Sequence, residues 1–139
     1  MFVEFDDKDI KRAVLVDPAY YRVRIEDIVT KASDDGKSTN IRLEGVIIKN
    51  ADDNSEKFAG VPTPYLWQFN TKAIGMMIPV LQAVDPTYAP QTGVRVPIDN
   101  LKGAELEVFI GRGEWNNNLQ NQMTNRYRPV AEKRTLGGS

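Results

Sequence analysis

Neither cysteine nor histidine occurs among the 139 residues. The first absence excludes disulfides and thiolate metal sites. The second removes the commonest general base, the commonest transition-metal ligand and every histidine-based triad. Long apolar runs are missing too: none approaches the roughly 18 residues that cross a bilayer. The opening stretch MFVEFDDKDIKR is acidic where a secretory leader would be basic. Net charge is also scarce, with 18 Lys and Arg against 19 Asp and Glu. A protein held on nucleic acid by its overall field is strongly basic, so any such binding here must come from a local patch or from stacking. These absences lead us to expect a cytosolic, non-enzymatic protein with no membrane contact, no metal and no cofactor.

What is present reads mainly as β structure. Residues 1–19 form a lead-in with a short helix around Asp9 to Val14, ended by Asp17-Pro18 because the residue before proline is pushed out of the helical region. Tyr20 to Ser33 is the first strand, with Tyr21, Val23 and Ile25 on one face and Tyr20, Arg22, Arg24 and Glu26 on the other. Its apolar parity switches at Ile28, as an inserted bulge would require. Asp34-Asp35-Gly36-Lys37-Ser38 is a hairpin turn. The second strand runs from Thr39 to Lys49, and Asn50 to Lys57 is loop. Pro62 and Pro64 restrict Phe58 to Phe69 to a short or edge strand. Ile74, Met77, Ile78, Leu81 and Val84 predict one helix over 71–84, capped by Asn70 or Thr71 and kinked at Pro79. Asp85 to Pro97 is loop.

The last third organises the chain. Leu106, Val108 and Ile110 alternate with Glu105, Glu107 and Phe109. Gly111-Arg112-Gly113 is expected to break that run, and the chain returns through Leu119 to Tyr127. This is a long hairpin whose polar tip presents Arg112 and Trp115. Two strands, a weak third, a helix and two more strands are the order of a five-stranded Greek-key barrel of the oligonucleotide/oligosaccharide-binding (OB) type, with the helix between strands three and four. The domain spans residues 20–130, and 131–139 is a flexible tail. That tail ends in Leu136-Gly137-Gly138-Ser139, which resembles either a frayed end or an added linker.

Such barrels hold ligand across strands two and three, gripped by the loops joining strands one to two and four to five. Here those loops are Ser33 to Ser38 and Gly111 to Leu119. Single-stranded nucleic acid needs aromatic faces for bases and cations for phosphates. Trp115, Trp67, Tyr20 and Tyr127 are the stacking candidates; Arg22, Arg24, Lys37, Arg42, Arg112, Arg126 and Arg128 are the phosphate candidates. Each has a plainer reading. Trp67 beside Leu66 reads as core, and Tyr127 fits the barrel wall equally well. Arg22 and Arg24 near Glu26, and Arg42 near Glu44, read as solvated cross-strand pairs. Trp115, on a glycine-flanked polar tip, reads as a contact surface. Arg112 to Arg134 carries five basic and two acidic residues, a modest local excess.

Asp34-Asp35 and Asp52-Asp53 are carboxylate pairs of a kind that binds hard cations, but both sit where turns favour Asp for backbone reasons. Gly111-Arg112-Gly113 opens no helix and has no Lys at phosphate-loop spacing.

The YRVRI run of Tyr21 to Ile25 resembles the first strand of a group of short phage-encoded proteins of unassigned function from replication and recombination gene clusters. So do the turn at Gly36, the stretch holding Trp67 and Lys72 to Val84, and Leu101-Lys102-Gly103-Ala104-Glu105-Leu106. The hairpin end Asn125-Arg126-Tyr127-Arg128-Pro129 extends the likeness, which covers roughly Asp17 to Val130; the loop from Asp85 to Pro97 departs from it. The resemblance implies a single-stranded DNA-binding protein with an OB fold, acting in the bacterial host cytoplasm alongside recombination or replication proteins, with self-association open. The alternative from the residues is a protein-binding or assembly module, such as a phage structural or inhibitor protein, docking a partner or a second copy through the hairpin.

Overall fold

Residues 1–93, 95 and 98–130 are described by the computed structural model. Alternation builds the first strand, β1 (Ala19–Ala32): Tyr21, Val23 and Ile25 turn inward and are fully buried, while Tyr20, Arg22 and Arg24 lie on the other face. Its pairing with β2 (Thr39–Asn50) slips between Ile25 and Asp27, so Glu26 is the extra residue that shifts the parity. A bulge bends and twists a strand, and beyond this one β1 keeps only β2 as its neighbour. Ala19 to Arg24 pairs with β4 (Glu105–Trp115), and Tyr21 to Ala32 pairs with β2. Gly36 supplies the positive φ of the β1–β2 turn, at 70°.

Inside β2, Ile41, Leu43 and Ile47 enter the core. Gly45 shares their parity because nothing larger fits: an added Cβ would lie 2.9 Å from the Arg24 carbonyl oxygen and 3.3 Å from the Trp67 ring. The weak third strand is β3 (Gln68–Asn70), an edge strand of three residues. Pro62 and Pro64 limit what precedes it to one isolated bridge, Val46 to Pro62.

The predicted single helix is two pieces. A 3-10 segment, Thr71–Met77, contains the non-helical Ala73 and is followed by α2 (Ile78–Val84); the lead-in helix, α1, spans Asp7–Arg12. Pro79 therefore does not kink a helix. It lies in the first turn of α2, where its missing N–H would have had no partner. Asn70 caps the 3-10 segment as expected, its side chain accepting from the Lys72 N–H at 2.8 Å. Met77 and Leu81 are buried, and Val80 and Ala83 join them from outside the expected stripe.

The expected break at Gly111-Arg112-Gly113 is also absent. β4 continues to Trp115, and β5 (Asn118–Arg128) returns after a two-residue turn. That turn is Asn116-Asn117, with φ of 51° and 64°, the pair of positive angles a tight hairpin needs. The two glycines make room instead of bending the chain. The methyl of Thr124 packs at Gly111, and the Gln122 side chain crosses the space a Cβ on Gly113 would fill.

All pairings are antiparallel, in the order β3-β2-β1-β4-β5. This is the expected OB order, with the helix between strands three and four. The sheet is open, however, along the seam between β3 and β5. Three residues of β3 are too few to zip a second ladder. A side-chain pair spans the seam: the Trp67 Nε1–H donates to the Tyr127 hydroxyl at 3.0 Å, with the rings stacked 6.4 Å apart.

The lead-in is tied to this framework. Val16 is fully buried; its N–H donates to Asn121 Oδ1 at 3.0 Å, and Asn121 Nδ2 donates to the Val14 carbonyl at 2.8 Å. The tail at 131–139 lies outside the described residues, as do positions 94, 96 and 97 of the predicted loop. Among the described residues, no helix is long and apolar enough to cross a membrane.

Candidate nucleic-acid interface

Of the eleven candidates, Trp67 and Tyr127 belong to the core, and the other nine do not meet on one surface. Tyr20, Arg22, Arg126 and Arg128 gather on the outer face of β1, β4 and β5, around Phe109, which the sequence reading had not singled out. Tyr20 meets Phe109 edge-on at 5.3 Å, Arg128 lies 3.9 Å from the centre of the Tyr20 ring, and Arg126 lies 5.2 Å from that of Phe109. The cations here are matched by acids: Arg22 pairs with Glu105 at 2.5 Å, and Arg128 with both Glu107 and Asp52. Those two carboxylates raise the Arg128 pKa against the opposing effect of burial, the largest single influence. Arg24 pairs with Glu26 at 3.6 Å.

Trp115 is exposed, as expected for a contact residue, at 66%. Arg112 does not accompany it. It falls on the opposite face of β4 by the two-residue period, where its Nε–H donates to the Val16 carbonyl at 3.1 Å and its terminal nitrogen faces Asp17 at 3.6 Å. The two loops expected to grip a strand together are apart as well. Ile110 pairs with Ala19, so the tip of the β4–β5 hairpin projects beyond the start of β1, whereas Lys37 sits in the turn at its other end. Trp67 is core, and Tyr127 is committed to it. Of the acid pairs, Asp35 and Asp53 serve their own turns, while Asp52 pairs with Arg128. Asp35 accepts from the Ser33 hydroxyl at 2.5 Å and the Lys37 N–H at 2.9 Å, which lower its pKa in that order, and Asp53 accepts from the Ser55 N–H at 2.8 Å.

A different surface carries a groove. It runs along the outer face of β2, walled by Glu26 and Asp27 of β1 on one side and by Gly60 to Tyr65 on the other, and encloses about 440 Å³. A shallower stretch of about 260 Å³ continues past Arg42 to Lys31, Asn40 and Gln68. Of the nine, Arg42 alone lines it. Its partner is Tyr65, another residue the sequence reading passed over. The ring is 54% exposed. Arg42 donates to the Tyr65 hydroxyl at 2.9 Å and to Glu44 at 2.8 Å, and its guanidinium lies 4.6 Å from the ring centre. The Glu44 hydrogen bond is the main cause that raises the Arg42 pKa. The signal for Tyr65 was its flanking Pro64: proline limits strand pairing and so leaves the next side chain on an open edge. Acids and bases alternate along the groove, which fixes guanidinium directions without making a strongly positive field.

Comparison with family models gives no match for this chain, and comparison with curated proteins gives none either.

Proposed function

We propose that this chain is a non-catalytic single-stranded DNA-binding protein that lays its ligand along the β2 groove. The observation that carries the reading is the half-exposed Tyr65 ring, pinned by Arg42 on the face that OB folds use for ligand. A ring held in one orientation stacks a base without paying to be ordered, and each stacked base contributes about 1–3 kcal/mol. Lys31 offers a cation to phosphate beside the ring that Arg42 orients; Asn40 and Gln68 offer amides to base edges. Charge compensation by Glu44 and Glu26 implies moderate affinity with a shallow salt dependence.

The test is titration of fluorescein-labelled oligo-dT at low salt, followed by anisotropy. Tyr65→Ala should weaken binding by roughly 5- to 150-fold, the equivalent of one stacked base. Absence of any anisotropy change with the unmutated protein would rule the reading out.

The hairpin tip favours a second role. Trp115 and Leu119 are both more than half exposed, and the nearest predicted cation, Arg112, faces away. An apolar and amide-rich tip without cations suits a protein surface, including a second copy of the chain. Trp115→Ala should leave oligo-dT affinity unchanged while shifting any oligomer, measured by light scattering after size exclusion. A drop in DNA affinity equal to that of Tyr65→Ala would count against this division of roles.

A further inference from the structure

The lead-in helix, which the sequence reading placed outside the barrel domain, contributes side chains to the lining of the groove. We infer that α1 is a fixed arm of the binding site and that Arg12 is its phosphate contact, an inference that rests on the groove reading above. Three observations carry it. First, Lys8, Lys11 and Arg12 all line the groove that holds Arg42 and Tyr65, together with Asp7 and Glu44. Second, Arg12 lies 5.5 Å from the centre of the Tyr65 ring, near the roughly 6 Å limit of cation–π attraction. It forms no ion pair with any carboxylate among the described residues. Arg42, by contrast, is held by Glu44 and Tyr65. Third, the Nε–H groups of both Arg12 and Arg42 are screened from solvent and have no hydrogen-bond partner. Buried donors are normally satisfied. Arg42 commits its terminal nitrogens to Tyr65 and Glu44, whereas Arg12, beside the same exposed ring, has no carboxylate partner among the described residues. That leaves the terminal nitrogens of Arg12 for an oxyanion next to a stacked base, the repeating unit of a nucleic-acid strand.

The arm is positioned rather than loosely attached. α1 itself buries no residue, but a capping box joins Asp6 and Asp9, with the Asp9 N–H donating to Asp6 at 2.7 Å. Immediately after it, Val14 and Val16 are held by Asn121, and the Val16 side chain enters the core. β5 thus anchors the chain that follows α1, and no residue of α1 itself is fully buried. The contacts of α1 over β2 include Lys8 to Glu44 at 3.9 Å and Arg12 against the Tyr65 ring.

The experiment is oligo-dT binding across 50 to 200 mM salt with the full-length chain, comparing Arg12→Ala and Arg12→Lys. For single strands the log–log salt slope changes by about 0.7 per phosphate contact, so losing one contact makes the drop over that range about 2.6-fold smaller. Arg12→Ala should show that flattened slope with about 5- to 30-fold weaker binding at low salt. Arg12→Lys should restore the slope but only part of the affinity, since an ammonium cannot present a planar fork. Thermal melting of both variants should stay close to that of the unmutated chain, because Arg12 is only partly buried and no residue of α1 is fully buried. Unchanged slope and affinity in Arg12→Ala would overturn the inference and leave the groove reading standing, as would tighter binding, which would make α1 a cover instead of an arm. No binding by the unmutated chain would remove both.

Discussion

Replacing Tyr127 by Phe tests how an open OB sheet holds its seam. The substitution removes one oxygen and keeps the ring, so the stacking on Trp67 and the packing volume remain. What is lost is the acceptor for the Trp67 indole N–H, which sits in a residue only 1% exposed. A buried donor left without a partner costs about 1–3 kcal/mol. For a domain of this size each kcal/mol moves the melting point by about 4 °C, giving a fall of roughly 4–12 °C. The assay is urea unfolding followed by indole emission in a Trp115→Phe background, so that Trp67 alone reports. The midpoint should fall with an unchanged m-value, because the surface exposed on unfolding is the same. A change within about 0.3 kcal/mol would show that the bond across the seam adds nothing beyond the packing of the two rings.

Gly45→Ala should destabilise by about 1–3 kcal/mol through overpacking, because its Cβ meets the backbone oxygen of Arg24 as well as the Trp67 ring; equal melting points would mean β1 and β2 separate easily. Alkaline pH should weaken the fold through two tyrosines. Burial pushes Tyr127 up to about 12, and burial with Asp17 and Asp53 pushes Tyr21 up to about 12. The unfolded chain releases these protons near pH 10, so the stabilisation is complete below about pH 10 and is lost as pH rises towards 12. Tyrosinate absorbance at 295 nm should show two late titrations, one of which disappears in Tyr127→Phe; a single early transition would contradict this. Asn117→Val should cost about 1 kcal/mol or more, because a β-branched residue resists the positive φ of the hairpin turn, and an unchanged urea midpoint would refute that.

Several features could be read from residue order alone because their causes are local. The period-two runs at Tyr21-Val23-Ile25 and Leu106-Val108-Ile110 fix which side chains face inward wherever the strands end up. Asp35-Gly36 fixes a turn, Asn70 a cap, and the parity switch before Ile28 a bulge. From these the five strands, the intervening helical stretch and the exposed Trp115 all followed. Pro79 was misread because its meaning depends on where a helix begins, and that is set by how Met77 and Leu81 pack. Gly111 and Gly113 were misread as a break because the side chains that fill their missing Cβ positions come from β5.

The site needed the tertiary structure for a stronger reason. Tyr65 and Arg12 are 53 positions apart in the chain, and Arg112 and Trp115 are three apart but face opposite ways. Which cations are neutralised depends on cross-strand partners such as Glu105, Glu107 and Asp52, and no local rule in the sequence sets that register. Alternation along a strand is decided by covalent geometry, so the sequence carries it unaided. The meeting of α1 with β2 is decided by Asn121 gripping the chain at Val14 and Val16, a contact between segments more than 100 residues apart that only the folded chain brings together.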